Sequence, residues 1–191
     1  MYIVALNGSP DENGNTAFML NRIIDKLKEK GAEGEVISVD KAVSDAKWAF
    51  CKNCQTPCSG ACYNGTLLEE AYKKVDKADF VIFGSPVYFG SMSGQLKVFF
   101  DKTRKVRGEK RWLRKPMAAV SVGASKYGGQ ERTVSAIQSS AMVLGMKVIG
   151  NGSELSMGHF GISAERPASS DEFALKAIDS LVEGILAEIN G

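Results

Sequence analysis

The sequence predicts an α/β fold, a doubly wound five-stranded parallel sheet with strand order 2-1-3-4-5. Two observations predict it. Short continuous apolar runs such as YIVAL and FVIF stop at Asn, Gly, Ser or Pro, as strands buried on both faces do. Stretches with helical apolar spacing separate these runs, which is the alternation of a parallel sheet. At 191 residues the chain suits one domain, 1–191, rather than a barrel, with a core that needs no metal or disulfide staple.

Taken in order, Tyr2 to Leu6 is the first strand and stops at NGSP. Ala17 to Lys30 places Phe18, Leu20, Ile23, Ile24 and Leu27 along one helical face, and Gly31 is a helix stop. Val36 to Val39 is the second strand. A cysteine-rich insertion follows at about 45–65, and Leu67 to Val75 reads as a helix. FVIFGSP, from Phe80, is a buried strand ending in a turn. Ser93 to Lys105 carries Leu96, Phe99 and Phe100 at helical spacing. Met117 to Val122 is the next strand, Glu131 to Leu144 a helix, and Lys147 to Ile149 begins the fifth strand. Phe173 to Ile189 closes the chain as an amphipathic helix. No internal repeat interrupts this order.

Net charge is +2, too small for nucleic acid or an anionic membrane to be the main partner. No run approaches about 18 apolar residues, and MYIVALNGSP lacks the basic, then apolar, character of a signal peptide. The expectation is a soluble cytoplasmic protein. In that reducing compartment clustered cysteines favour metal or catalytic roles over disulfides.

Ligands of such sheets bind outside the carboxyl ends of the strands, so function is expected in the loops after Leu6, Phe83 and Val122. The first loop, NGSPDENGNT, combines Gly8 and Gly14 with Ser9, Asn15, Thr16 and a helix N terminus, a set suited to a phosphate. It lacks the lysine and glycine spacing of a Walker A loop and the G-x-G-x-x-G of a dinucleotide fingerprint. The competing reading is that Ser9 and Thr16 merely cap the helix. In the second loop, Pro86, Tyr88, Phe89 and Gly90 supply a rigid turn, aromatic faces and close backbone approach. There the N–H groups from Val87 to Gly90 suit the polar edge of an isoalloxazine or similar ring, unless the aromatics are simply core. The third, GASKYGGQE, pairs Gly128 and Gly129 beside Tyr127.

GSPDENGNT, GSPVYFGSMSGQLKVFFDK and GGQERTVSAIQSSAMVLGMKVIG resemble, in matching order over residues 1 to about 150, the NADPH-dependent FMN reductase family of flavodoxin-like fold. The resemblance implies that Ser9, Asn15 and Thr16 hold the FMN phosphate. Pro86, Val87, Tyr88, Phe89 and Gly90 would line the ring, and Ala124, Tyr127 and Gly128 would close the site. It also implies NADPH or NADH as reductant and flavin chemistry with no protein acid, base or nucleophile. The implied assembly is a homodimer or homotetramer with the site near a subunit interface. The implied partner is a small-molecule or protein redox partner, a ferredoxin-like donor included. True flavodoxins, usually strongly acidic, match less well.

All four cysteines fall in CKNCQTPCSGAC. Zinc sites usually separate two C-x-x-C knuckles by a longer insert, and that insert is missing. Thiols packed this closely better suit a [4Fe–4S] cluster, with Ser59, Gly60 and Ala61 letting the chain wrap it. Iron–sulfur flavoproteins of the wider family carry a compact four-cysteine motif at this place, between the second strand and the next helix. The ligands would be Cys51, Cys54, Cys58 and Cys62, spaced x2, x3, x3, with the third displaced by one residue from the usual C-x2-C-x2-C. Zinc, redox-active thiols and inert cysteines remain alternatives. Three functions follow: an iron–sulfur flavoprotein oxidoreductase, a cluster-free NAD(P)H-dependent FMN or quinone reductase, and a non-enzymatic FMN electron carrier.

From Lys102 to Lys115 there are eight basic residues and one acid, Glu109. This segment reads either as a contact for the 2′-phosphate of NADPH or an acidic redox partner, or as a solvated helix end. The single histidine, His159, is assigned no catalytic role. Trp48 and Trp112 are candidates for contact with a neighbouring subunit.

Overall fold

The computed structural model describes all residues from Met1 to Gly191. Its sheet is parallel throughout, and the backbone order is β2-β1-β3-β4-β5. The strands are β1 (Tyr2–Asn7), β2 (Glu33–Ser38), β3 (Phe80–Pro86), β4 (Pro116–Gly123), β5 (Lys147–Val148) and β6 (Ile162–Glu165). The expected topology holds, with one difference at the fifth position, which two short strands share. β5 pairs with Pro116 and Met117 at the start of β4, whereas β6 pairs with Val120 to Gly123 at its end.

Alternation along the strands builds two apolar layers, because successive side chains point to opposite faces. Ile3, Ala5, Ile82 and Val120 join Leu20, Ile23 and Leu181 in a layer under α1 (Asn15–Glu29) and α7 (Glu172–Asn190). Val4, Leu6 and Phe83 join Leu68, Phe99 and Ile137 on the other face. That face is covered by α2 (Val39–Ser44), α3 (Leu67–Lys77), α4 (Gly94–Asp101), α5 (Arg104–Gly108) and α6 (Gln130–Val143).

Two boundaries depart from expectation for physical reasons. β2 starts at Glu33 rather than Val36, because it is an edge strand and tolerates polar residues. Glu35 on that edge accepts hydrogen bonds from Tyr2 Oη at 2.6 Å and Lys74 Nζ at 2.6 Å. Burial works against its charge, but these two donors prevail and hold the carboxyl below its ordinary value. The single helix expected over Ser93 to Lys105 breaks into α4 and α5 at Lys102–Thr103, where the Thr103 hydroxyl donates to Phe100 O at 2.6 Å.

Trp112 is a core residue, not a subunit contact. It is fully buried, and its Nε1 donates to Asp76 Oδ1 at 2.8 Å, beside the Arg111–Asp76 ion pair. Phe99 stacks on Trp112 with centroids 6.2 Å apart and meets Tyr72 edge-on at 5.0 Å. No helix is long and apolar enough to cross a membrane. Phe99→Ala should lower the free energy of unfolding by about 3–5 kcal/mol, read from urea denaturation curves followed by tryptophan fluorescence.

Candidate cofactor site and cysteine loop

The site begins where β1 ends. Gly8 N donates to Gly84 O at 2.8 Å, which ties the first loop to β3. The approach is so close that a Cβ on Gly8 would stand 2.8 Å from Gly84 O and 2.9 Å from Leu96 Cβ. Ser93 completes the junction. Its buried hydroxyl donates to Gly8 O at 2.6 Å and accepts from Leu96 N at 3.2 Å, while its N–H donates to Ser85 Oγ at 2.9 Å. The loops after β1 and β3 and the start of α4 are thus joined through one side chain.

The capping alternative does not hold for α1, whose N-cap is Gly14 with no side-chain cap bond. Ser9, buried, accepts from Asp11 N at 3.1 Å, and Thr16, also buried, lies in the first turn. The N–H groups of Asn15, Thr16 and Ala17 have no partner within the chain, which leaves three donors at the positive end of the helix dipole. The loop's acids are turned to other uses. Asp11 accepts from Asn13 N at 2.9 Å, and Glu12 pairs with Lys41 at 2.7 Å. Hydrogen bonds from Lys41 and Ser38 keep the exposed Glu12 carboxyl below its ordinary value. Asn15 has a duty the sequence did not show, since its Oδ1 accepts from Ala168 N at 2.8 Å.

The second loop is a tight turn in which Tyr88 and Ser91 exchange backbone hydrogen bonds at 2.9 and 3.1 Å. Phe89 and Gly90 both have positive φ, +49° and +73°, the conformation of a type I′ hairpin. The turn throws the Phe89 ring fully into solvent and leaves Tyr88 exposed, and Tyr127 is exposed on the third loop. These aromatics are therefore not core. Of the donors expected from Val87 to Gly90, two are spent: Val87 N bonds Val122 O, and Tyr88 N bonds Ser91 O. Phe89 and Gly90 keep theirs free.

Gly129 brings the third loop against the second. It has φ +99°, and a Cβ there would lie 3.1 Å from Gly90 Cα and 3.4 Å from Val87 Cγ1. Pro86 and Val87 are half-buried beside this contact, Gly128 is half-buried, and Ala124 is exposed at the loop's start. Beyond Tyr127 opens a recess of about 670 Å³, bordered by Lys126, Arg132, Glu165, Asp171 and Phe173. Of the expected site residues it includes only Tyr127, from the set that closes the site, and none of the ring residues Pro86 to Gly90; the free donors of α1 are not among its walls. Sequence reasoning missed this border because it left the 150–172 segment without structure.

The cysteine loop lies on the helix-rich face. Leu67 N donates to Asp45 Oδ2 at 2.7 Å and Lys47 N to Cys62 O at 2.9 Å, which close the excursion at its base. The buried Lys102 ammonium donates to Trp48 O at 2.6 Å, and Arg104 to Thr56 Oγ1 at 3.2 Å. All four cysteines are free thiols; Cys51, Cys58 and Cys62 are half-buried and Cys54 is exposed. The structure does not bring three or more metal-ligating side chains together here. Burial pushes the Cys62 thiol above its ordinary value; Lys102 pulls it back, and Cys58 and Cys51 add to the rise.

Most of the basic segment is structural. Lys102 and Arg104 hold the cysteine loop, Arg107 donates to Val143 O, Arg111 pairs with Asp76, and Lys115 donates to Asp76 O and Ala78 O. None of these hydrogen bonds reaches the loops after β1, β3 and β4.

Sheet order and helix placement are those of the flavodoxin-like class. The fold matches oxidised flavodoxin 2 from Bacillus cereus with a TM-score of 0.65, covering 98% of this chain and 99% of that one at 14% identity. Residues 1–160 match the NADPH-dependent FMN reductase family. An iron–sulfur flavoprotein of Methanocaldococcus jannaschii is 34% identical over 172 residues, 90% of this chain and 86% of its own. Another, from Methanosarcina thermophila, is 31% identical over 185 residues, 93% and 90% of the two chains. The chain belongs to the NADPH-dependent FMN reductase family. It is an FMN-dependent oxidoreductase, an electron-transfer flavoprotein.

Ser93→Ala would strand the Gly8 carbonyl and the Leu96 N–H in a buried place. The expected loss of stability is about 1–3 kcal/mol, measured by thermal unfolding of the flavin-free protein.

Proposed function

We propose that FMN lies along the carboxyl edge of the sheet, with its phosphate at the start of α1 and its ring between the second and third loops. Ser9, Asn15 and Thr16 would hold the phosphate, through the two hydroxyls, the Asn15 amide and the free N–H groups of the first turn. Pro86, Val87, Tyr88, Phe89 and Gly90 would line the ring, with the Phe89 and Gly90 N–H groups toward its polar edge. Ala124, Tyr127 and Gly128 would close the site. The observation that carries this reading is the alignment of free backbone donors with the Gly129–Gly90 contact at one sheet edge. When bound, FMN accepts two electrons as hydride from NADPH or NADH and can release them singly. The chain's part is to bind, orient and shield.

We also infer that Cys51, Cys54, Cys58 and Cys62 hold a [4Fe–4S] cluster, a one-electron centre toward the acceptor. The four-thiol donor set supports it, as do the relatives named iron–sulfur flavoproteins. No three of the sulfurs come within reach of one centre, so ligation would draw the loop's side chains in around the cluster. That lack of convergence also favours, as a second reading, a cluster-free NAD(P)H-dependent reductase. The exposed Tyr88, Phe89 and Tyr127 suit a homodimer or homotetramer whose subunits meet over the flavin, with a small molecule or a protein such as a ferredoxin as redox partner.

Anaerobically purified protein should contain FMN, iron and labile sulfide, with a broad visible shoulder beneath the flavin bands. A flavin-only spectrum without iron or sulfide would select the cluster-free reading. Rapid bleaching of the flavin by NADPH or NADH would exclude a passive carrier. The double substitution Ser9→Ala, Thr16→Ala should weaken FMN binding by about tenfold or more, followed by flavin fluorescence, since hydrogen bonds to a charged group are the stronger kind. Gly129→Ala should also weaken it, because an L-residue with φ near +99° costs about 1–2 kcal/mol and its Cβ would press on Gly90.

A further inference from the structure

The recess beyond Tyr127 has a volume of about 670 Å³, within the range of roughly 300–1,000 Å³ usual for small-molecule sites. Two of its residues offer aromatic faces. The Tyr127 and Phe173 rings are both largely exposed, and His159 backs Phe173 edge-on with centroids 5.9 Å apart. Two others are cations, Lys126 and Arg132, and neither pairs with a carboxylate of the chain. Lys126 Nζ lies 5.7 Å from the Tyr127 ring centre. The N–H groups of Gln130, Glu131 and Arg132 at the start of α6 also lack partners within the chain, since the first bond of that helix is Thr133 N to Gly129 O at 3.0 Å.

The mixture of charges says what class of ligand fits. Glu131, Glu165 and Asp171 share the walls with the two cations, so a bare anion finds no net attraction there. Asp171 is already engaged, accepting from Glu165 N at 2.9 Å and Ala174 N at 3.0 Å. Glu131 and Glu165 form no ion pair and remain available as acceptors. A ligand for this recess therefore brings a flat ring for the aromatics, N–H or O–H donors for the carboxylates and an anionic group for Lys126 and Arg132. A phosphorylated adenosine carries all three. The place suits a nucleotide that serves the flavin, because Tyr127 and Gly129 border the recess and Gly129 presses on Gly90 of the second loop. The basic stretch from Lys102 to Lys115 offers no such place, since its hydrogen bonds run to the cysteine loop, Val143 and α3.

We propose that the recess receives the adenosine 2′-phosphate end of NADPH, with the phosphate at Lys126 and Arg132, the adenine against Phe173, and the adenine amine and ribose hydroxyl toward Glu131 and Glu165. This rests on the reading that FMN lies between the second and third loops and is reduced by a nicotinamide nucleotide. The dinucleotide then reaches the flavin ring across Tyr127, which belongs to both places. The consequence is specificity. NADH carries a 2′-hydroxyl instead of the phosphate and leaves both cations unpaired, so Lys126 and Arg132 select NADPH.

The test follows anaerobic flavin reduction by NADPH and by NADH in FMN-loaded wild type and in the double variant Lys126→Gln, Arg132→Gln. Both side chains are exposed, so the variant keeps the fold. The half-saturating NADPH concentration should rise about tenfold or more while that for NADH holds within about twofold, because only NADPH loses charge-assisted bonds. Adenosine 2′,5′-bisphosphate should compete with NADPH in the wild type and lose potency by a similar factor in the variant. Phe173→Ala should weaken NADPH and NADH alike. A double variant that leaves NADPH unaffected, or that weakens both nucleotides equally, would overturn the recess as the 2′-phosphate site and leave the flavin reading standing. Wild-type protein that binds FMN but is reduced by neither nucleotide would overturn the nicotinamide reading and this inference together.

Discussion

The buried hydroxyl of Ser93 settles the geometry of the functional edge. Parallel strands deliver their loops to that edge independently, and each loop brings backbone groups that need partners away from water. Ser93 supplies several at once: it satisfies Gly8 O, caps α4 and, through its own N–H, engages Ser85. The Gly8–Gly84 bond and the Gly129–Gly90 contact then follow as close approaches that only glycine allows. With the loops fixed this way, the leftover donors at Asn15–Ala17 and at Phe89–Gly90 are free because the architecture has no acceptor for them. Binding capacity here is what remains after the fold has satisfied itself.

The cysteine loop follows a different logic. Its attachments are mostly charged or polar, and its centre holds groups that the chain leaves incomplete: four free thiols and one orphaned phenol. Lys102 is the counterpart on the scaffold side, a buried cation bonded to the loop at Trp48 O that offsets part of the burial holding Cys62 in its thiol form. Basic residues that in the sequence suggest a surface for nucleotide phosphate are thus largely engaged in hydrogen bonds within the chain. They brace α5 against this loop and the segment after α5 against α3.

Much of the architecture was legible in the sequence because a doubly covered parallel sheet writes itself as uninterrupted apolar runs. Tyr2–Leu6, Phe80–Phe83 and Met117–Val122 fall inside β1, β3 and β4. The edge strand β2 was half missed, since Glu33–Gly34–Glu35 carries no apolar signal and is held by pairing and by the Tyr2–Glu35 bond. β6 was missed because a strand of four residues after a long detour has no periodicity to read. In the site, turn-forming glycines and exposed aromatics marked the second and third loops. The Asn15–Ala168 bond, between residues 153 positions apart, could not be seen, nor could Ser93's role, because both depend on tertiary closure.

Asp45 and Leu67 are joined by a 2.7 Å hydrogen bond, so the loop leaves and re-enters the scaffold at nearly one point. Between them Tyr63 anchors the excursion in the core beside Tyr72, and the exposed cysteine-bearing stretch before it hangs outside as a cassette. A chain that shortened that stretch could keep the sheet, Tyr63 and the loops after β1, β3 and β4. A chain that lengthened or respaced it would chiefly disturb the bonds from Lys102 and Arg104. The displaced third cysteine is the kind of drift such a cassette permits. If the loop holds the cluster proposed above, one-electron capability could be added to or removed from this scaffold without rewriting the loops at the carboxyl edge of the sheet.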